Sequence, residues 1–180
     1  MIYLINTLTL SRIFLGCVIF VLLRNPDSYF VAFILFFVAG VTDYFDGFLA
    51  RKYNLTTQIG EILDPIADKI LIVFVLFGLS VNLTSYFIAF MSSLIITREI
   101  WVGALRDFNA RKSQSDATKV TFLAKIKTSI QLFTISIYLL GLTLNNMLLI
   151  LFGDMFLFIS LLITIYTGYL YTLSSFKNNS

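Results

Sequence analysis

The chain has 180 residues, of which 58% are hydrophobic and only 13% are charged, and its mean hydropathy is +0.90. Soluble domains carry about twice that charged fraction, so the composition excludes an ordinary soluble globule. It predicts an all-α, polytopic membrane protein with one domain, residues 1–180. The chain has no histidine and one cysteine, which excludes an imidazole metal ligand or base and an intrachain disulfide.

Six apolar segments follow one another, each near the ~20 residues that a helix needs to cross the hydrocarbon. A short interfacial segment, residues 6–12, is expected to precede the first of them. The N-terminus lacks the basic patch and cleavage site of a removed signal peptide, so the first apolar segment is expected to remain as a membrane helix. The predicted spans are residues 13–23, 29–52, 62–80, 86–105, 129–144 (beginning as early as 120) and 147–173.

The distribution of cations predicts the orientation. With the N-terminus in the cytoplasm, twelve of the thirteen lysines and arginines lie on the cytoplasmic side, and only Arg24 lies on the far side. The positive-inside rule therefore places both termini and residues 43–68 in the cytoplasm. The twelve are Arg12, Arg51, Lys52, Lys69, Arg98, Arg106, Arg111, Lys112, Lys119, Lys125, Lys127 and Lys177.

Residues 43–68 contain four aspartates in two spaced pairs, next to apolar segments. Asp43 and Asp46 are three residues apart and Asp64 and Asp68 are four apart, so each pair lies on one face of a helix. Carboxylates beside hydrocarbon are costly and indicate a functional site. If a short loop joins the two helices, four carboxylates converge and need protons or cations to neutralise them. Hard divalent cations such as Mg²⁺ or Mn²⁺ suit oxygen ligands best.

Small residues and one arginine accompany the carboxylates. Gly47 and Ala50 keep a helix face open for a ligand, Gly60 allows a tight entry into the third span, and Arg51 supplies a cation for a phosphate. Two metal ions flanked in this way would form a clamp for phosphoryl transfer.

The pattern D-x2-D-G-x2-A-R-x8-G-x3-D-x3-D in this stretch resembles the signature of the CDP-alcohol phosphotransferase family in full. The resemblance implies a six-helix membrane enzyme, typically a homodimer, whose members use two metal ions. By this resemblance Asp43, Asp46 and Asp64 ligate the metals, and Asp68 contacts metal and is the candidate base that deprotonates the acceptor hydroxyl. The resemblance also implies that the CDP part of the donor is bound by Asp46, Gly47, Ala50, Arg51 and Gly60.

Later segments indicate the acceptor. Residues 97–108, 124–131 and 6–12 resemble the bacterial branch of this family that takes CDP-diacylglycerol as donor and sn-glycerol 3-phosphate as acceptor. An acceptor with its own phosphate needs further cations, since arginine and lysine are the side chains that bind phosphate. The candidates are Arg98, Arg106, Lys125 and Lys127. All four are expected at cytoplasmic helix ends, and Glu99 is a possible partner of Arg98.

Other interpretations remain open at this point. Another acceptor, such as phosphatidylglycerol, inositol phosphate or serine, would fit the same signature. A cation transporter would need carboxylates near the bilayer midplane and a continuous polar path, whereas the acids here cluster at one side. A structural scaffold would leave the aspartates without a role. Asp154 has no functional interpretation, and a hydrogen bond to a neighbouring helix or to a dimer partner is the simplest expectation.

Overall fold

The computed structural model describes the backbone of residues 2–53, 58–111 and 122–177, and the side chains of residues 10–42, 63, 66–111 and 127–176. Six α-helices make up almost all of the described chain, with a short 3-10 turn at Pro26–Ser28. The helices are α1 (Ile2–Leu22), α2 (Tyr29–Tyr53), α3 (Gln58–Asn82), α4 (Tyr86–Arg111), α5 (Phe122–Thr143) and α6 (Met147–Lys177).

Several helices extend beyond the apolar segments that predicted them. The expected interfacial segment, residues 6–12, is part of α1, which is continuous from Ile2 because this stretch contains no glycine or proline to interrupt it. At its C-terminal end, α4 continues past residue 105 to Arg111. Hydropathy marks the part of a helix suited to lipid, whereas the backbone hydrogen bonds continue into polar residues.

The bundle buries polar side chains beside an apolar core and exposes many large apolar side chains. Its core is formed by residues such as Ile19, Leu76 and Leu139, which are fully buried. Thr134 and Ser160 are equally buried, while Phe14 is 69% exposed, as are many large apolar side chains on the outer helix faces. This distribution suits a lipid environment, in which polar side chains lie between helices and apolar side chains face the lipid.

Two helices of the described chain are long and apolar enough to cross a membrane, Tyr86–Arg111 and Met147–Phe176. Two shorter apolar stretches, Leu10–Leu22 and Pro26–Thr42, lie in α1 and across the turn into α2. The all-helical fold class is therefore confirmed, while the count of six membrane spans stays a prediction.

Matching turns close the α3–α4 and α5–α6 hairpins. In the first, the Ser85 amide donates to the Ser80 carbonyl at 3.0 Å, and in the second the Asn146 amide donates to the Gly141 carbonyl at 2.9 Å. Each turn contains a residue with positive φ, Thr84 at 47° and Asn145 at 49°. This is the Schellman arrangement, which satisfies the last carbonyls of a helix.

The role of Asp154 is structural in this fold. The hydroxyl of Tyr138 on α5 donates a hydrogen bond of 2.6 Å to the carboxylate of Asp154 on α6. The two helices approach closely here, as shown by the fact that a Cβ atom added to Gly153 would lie 2.7 Å from the Tyr138 ring. The expected hydrogen bond to a neighbouring helix is confirmed.

Candidate active site

The acidic signature spans the last turns of α2 and the first turns of α3. Asp43 and Asp46 lie on α2, and Asp64 and Asp68 lie on α3, with residues 54–57 of the connection outside the described residues. The placement on two consecutive helices agrees with the prediction. Of the predicted metal and CDP residues, only Asp68 has a described side chain, so the following lie outside the described side chains: Asp43, Asp46, Gly47, Ala50, Arg51, Gly60 and Asp64.

Asp68 is paired with an arginine from α1. The Arg12 guanidinium donates a hydrogen bond through Nη1 to the Asp68 carboxylate, and its side chain is 1% exposed against 42% for Asp68. A buried guanidinium needs such a partner, because an unpaired charge in a helix bundle is strongly destabilising. Sequence reasoning used Arg12 to predict orientation and as part of the segment 6–12, but assigned it no role in the site. The available signal was the position of an arginine immediately before an apolar segment.

A cavity of about 680 Å³ opens beside Asp68 between α3, α4 and α5. Its wall is apolar over most of its area, with residues such as Ile72, Phe74 and Ile95. Its charged lining residues are Asp68, Lys69, Arg98, Glu99, Arg106 and Lys127. The cavity therefore combines one signature carboxylate with a concentration of positive charge and with apolar walls.

Three of the four predicted acceptor cations lie in this cavity wall. They are Arg98, Arg106 and Lys127, and the side chain of Lys125 lies outside the described residues. Arg98 is at the midpoint of α4 rather than at a cytoplasmic helix end, so that part of the expectation was wrong. The expectation relied on the apolar run that ends just before Arg98, but α4 continues for 13 residues beyond it, to Arg111.

Arg98 and Lys127 share one carboxylate. Arg98 Nη1 donates to Glu99 Oε1 at 3.0 Å, and Lys127 Nζ donates to the same oxygen. Glu99 was expected as a possible partner of Arg98, and this is confirmed. The second bond, to Lys127, was not foreseen, because the two residues are 28 positions apart and on different helices.

The Arg98 side chain is held from the opposite side by α6. Its Nη2 donates a hydrogen bond of 2.6 Å to Thr167 Oγ1. Gly168 leaves the room for this position, because a Cβ atom there would lie 2.9 Å from Arg98 Nε. Thr167, Arg98, Glu99 and Lys127 thus form a hydrogen-bonded chain across α6, α4 and α5.

Arg106 has a different environment from Arg98. Its guanidinium lies over the ring of Tyr171 at 5.5 Å from the centroid, and the residue is exposed. A cation in this position is oriented by the aromatic face and keeps its hydrogen-bond donors available. Lys69 is the further cation of the wall that sequence reasoning had used only for orientation. Its position one residue after Asp68 was the signal.

Comparison with known proteins gives the family. The sequence model described as CDP-alcohol phosphatidyltransferase matches residues 2–166. The chain is 40% identical over 169 residues to "CDP-diacylglycerol--glycerol-3-phosphate 3-phosphatidyltransferase" of Rickettsia bellii (strain RML369-C), which covers 92% of this chain and 91% of the relative. Proteins of the same name from Rickettsia typhi and Escherichia coli K12 are 39% and 34% identical, over 92% and 72% of this chain and 93% and 72% of the relatives. The signature, the helical bundle and these similarities agree, and the chain belongs to the CDP-alcohol phosphatidyltransferase family.

Proposed function

We propose that this protein transfers the phosphatidyl group of CDP-diacylglycerol to sn-glycerol 3-phosphate, giving phosphatidylglycerophosphate and CMP. The observation that carries the proposal is the cavity in which Asp68 lies together with three of the cations predicted to bind the acceptor phosphate. The name of the relatives describes this reaction, and the chain spans more than nine-tenths of the Rickettsia proteins.

The acceptor phosphate enters the cationic part of the cavity. Arg106 and Lys127 offer hydrogen-bond donors to a dianion there, and Lys69 adds a further charge. Charge-assisted bonds to phosphate are the strong class of hydrogen bond. Arg98 and Lys125 are the other two residues predicted for this role. The acceptor hydroxyl then lies toward Asp68, and the apolar wall accommodates the glycerol carbons or part of the donor lipid.

The chemical step is an in-line displacement at phosphorus. Asp68 accepts the proton of the attacking hydroxyl, the hydroxyl oxygen forms a bond to the β-phosphorus, and the bond from that phosphorus to CMP breaks. Arg12 holds the Asp68 carboxylate in the cavity wall. By this proposal the CDP part of the donor is bound by Asp46, Gly47, Ala50, Arg51 and Gly60.

Enzymes of this family use divalent cations. The donor set fits two such ions, since four aspartates offer oxygen ligands and the chain has no histidine. Asp43, Asp46, Asp64 and Asp68 would hold them. Whether Mg²⁺ or Mn²⁺ serves in the cell, the bound ions would neutralise the charge that develops on the pyrophosphate.

The proposed location is the bacterial cytoplasmic membrane, with both termini and the site on the cytoplasmic side. This arrangement is supported by the cation distribution and by the bacterial origin of the relatives. It lets the acyl chains stay in the bilayer while the headgroup reaches the aspartates. A homodimer is part of the proposal and rests on the family resemblance.

The test is an assay of the purified full-length protein with CDP-diacylglycerol and a panel of acceptors. The panel contains sn-glycerol 3-phosphate, phosphatidylglycerol, inositol phosphate and serine, and CMP release and the lipid product are measured. We expect glycerol 3-phosphate to be the one acceptor of the panel that is used, and we expect turnover to require a divalent cation. Turnover with another acceptor only, or cation flux in proteoliposomes without CMP release, would overturn the proposal.

A further inference from the structure

The hydrogen-bonded chain of Thr167, Arg98, Glu99 and Lys127 suggests separate roles for the cations of the cavity. Arg98 is 9% exposed, and both of its terminal nitrogens are already engaged, with Glu99 and Thr167. These two bonds fix the position of the guanidinium. Its position suits a support that connects α4 to α6 and holds the carboxylate of Glu99.

Glu99 faces several positive charges. It accepts bonds from Arg98 and Lys127, and Lys69 also acts on it electrostatically. Arg106 lies near enough to Arg98 and Lys127 to repel both. Without a central anion, this repulsion and the flexible four-carbon stem of lysine would move the Lys127 ammonium away from the others. Glu99 therefore determines where that ammonium lies.

We propose that Glu99, held by Arg98, is a positioning residue that directs the Lys127 ammonium toward the phosphate of the acceptor. The inference rests on the proposed function, since it assigns the acceptor phosphate to this cavity. Lys127 keeps two further N–H donors for that phosphate while it stays bonded to Glu99. Arg106, exposed at the same wall, is the second phosphate contact.

The sign of the effect separates positioning from simple electrostatics. Replacing Glu99 with glutamine removes one negative charge from a site that binds a dianion. If Glu99 acted only through its charge, the variant would bind glycerol 3-phosphate more tightly. If it positions Lys127, binding weakens despite the more positive cavity, because the neutral amide oxygen of glutamine holds the ammonium less strongly than a carboxylate does.

The experiment is a double-mutant cycle with Glu99→Gln and Lys127→Met in the full-length enzyme. Glu99→Gln is expected to raise KM for glycerol 3-phosphate on the order of ten-fold, with KM for CDP-diacylglycerol changed less than about two-fold. In the Lys127→Met background, the same substitution is expected to add less than about two-fold, since the residue through which it acts is gone. Asp107→Asn is the matched control, because Asp107 is an exposed acid of α4 outside the cavity lining.

Other results of this experiment would contradict the proposal. A lower KM for glycerol 3-phosphate in Glu99→Gln, or an equal effect with and without Lys127, would overturn the positioning role. So would a parallel loss for both substrates together with a lower Tm, which indicates a purely structural contact. Absence of wild-type turnover with glycerol 3-phosphate would instead overturn the proposed function itself.

Discussion

Asp68, the proposed general base, is paired with Arg12, a fully buried cation. The carboxylate keeps 42% of its surface accessible, whereas the guanidinium is 1% exposed. One partner is therefore available to substrate, and the other is locked between helices. A carboxylate held in this way needs little reorganisation when the acceptor hydroxyl arrives, which favours a role as general base.

Replacing Asp68 with asparagine tests the base. Asp68→Asn keeps the shape and a carbonyl acceptor but cannot take up a proton, so turnover is expected to fall by about 10²–10⁴-fold. CDP-diacylglycerol binding, measured as ligand-induced stabilisation of the purified protein, is expected to be largely retained. Asp107→Asn is again the control. Full activity in Asp68→Asn would contradict the assignment.

Arg106 is the residue whose removal should separate the two substrates. Arg106→Ala deletes a phosphate contact at the acceptor end of the cavity, so KM for glycerol 3-phosphate is expected to rise about ten-fold or more. KM for the lipid donor should change much less. Arg111→Ala is the matched control, since Arg111 is an exposed arginine of the same helix outside the cavity lining. Equal effects on both substrates would argue against the role of Arg106.

At the residue scale, the sequence predicted which residues line the cavity better than it predicted which of them are hydrogen-bonded to one another. The spacing of the signature indicated Asp68, and a predicted need for phosphate contacts indicated Arg106 and Lys127. The bond between Lys127 and Glu99 could not be predicted, because it depends on how α4 and α5 rotate against each other. The burial of Arg12 has the same origin, since it requires α1 to pack on α3.

At the scale of elements, the hairpin turns show how sequence and backbone agree. The sequence predicted breaks between helices at residues 81–85 and 145–146, and both breaks are present. The exact ends were less predictable, because α4 and α6 continue into polar residues that hydropathy assigns to solvent. The α3–α4 turn also contains a feature that composition does not indicate, a threonine with positive φ.

Thr84→Asn is expected to stabilise the protein. A β-branched residue in the left-handed region costs about 1 kcal/mol, whereas asparagine adopts that region more readily. Thr84 is exposed, so little packing is lost. We expect Tm in detergent to rise by about 1–4 °C. The reverse substitution Asn145→Thr, in the equivalent turn, should lower Tm, and a lower Tm in Thr84→Asn would contradict the argument.

At the scale of the whole molecule, helix direction determines which ends share a side of the membrane. Consecutive spans of a membrane protein alternate in direction, so the positive-inside rule predicts that the turns after α1, α3 and α5 share the far side. Arg12 and Glu99 lie near the middle of their helices, and each is ion-paired, Arg12 with Asp68 and Glu99 with Arg98 and Lys127. An unpaired charge at such a position would be costly, so these ion pairs stabilise the bundle.

The orientation can be tested by cysteine labelling in a Cys17→Ala background. The positive-inside rule places Asn146, in the exposed turn between α5 and α6, on the far side, and Arg111, exposed at the end of α4, in the cytoplasm. An impermeant maleimide should therefore label Asn146→Cys in intact cells or spheroplasts, and Arg111→Cys only after lysis. Activity of both variants confirms that the labelled protein is folded. The opposite labelling pattern would place the cavity and its aspartates on the side away from cytoplasmic glycerol 3-phosphate, and would contradict the proposed topology.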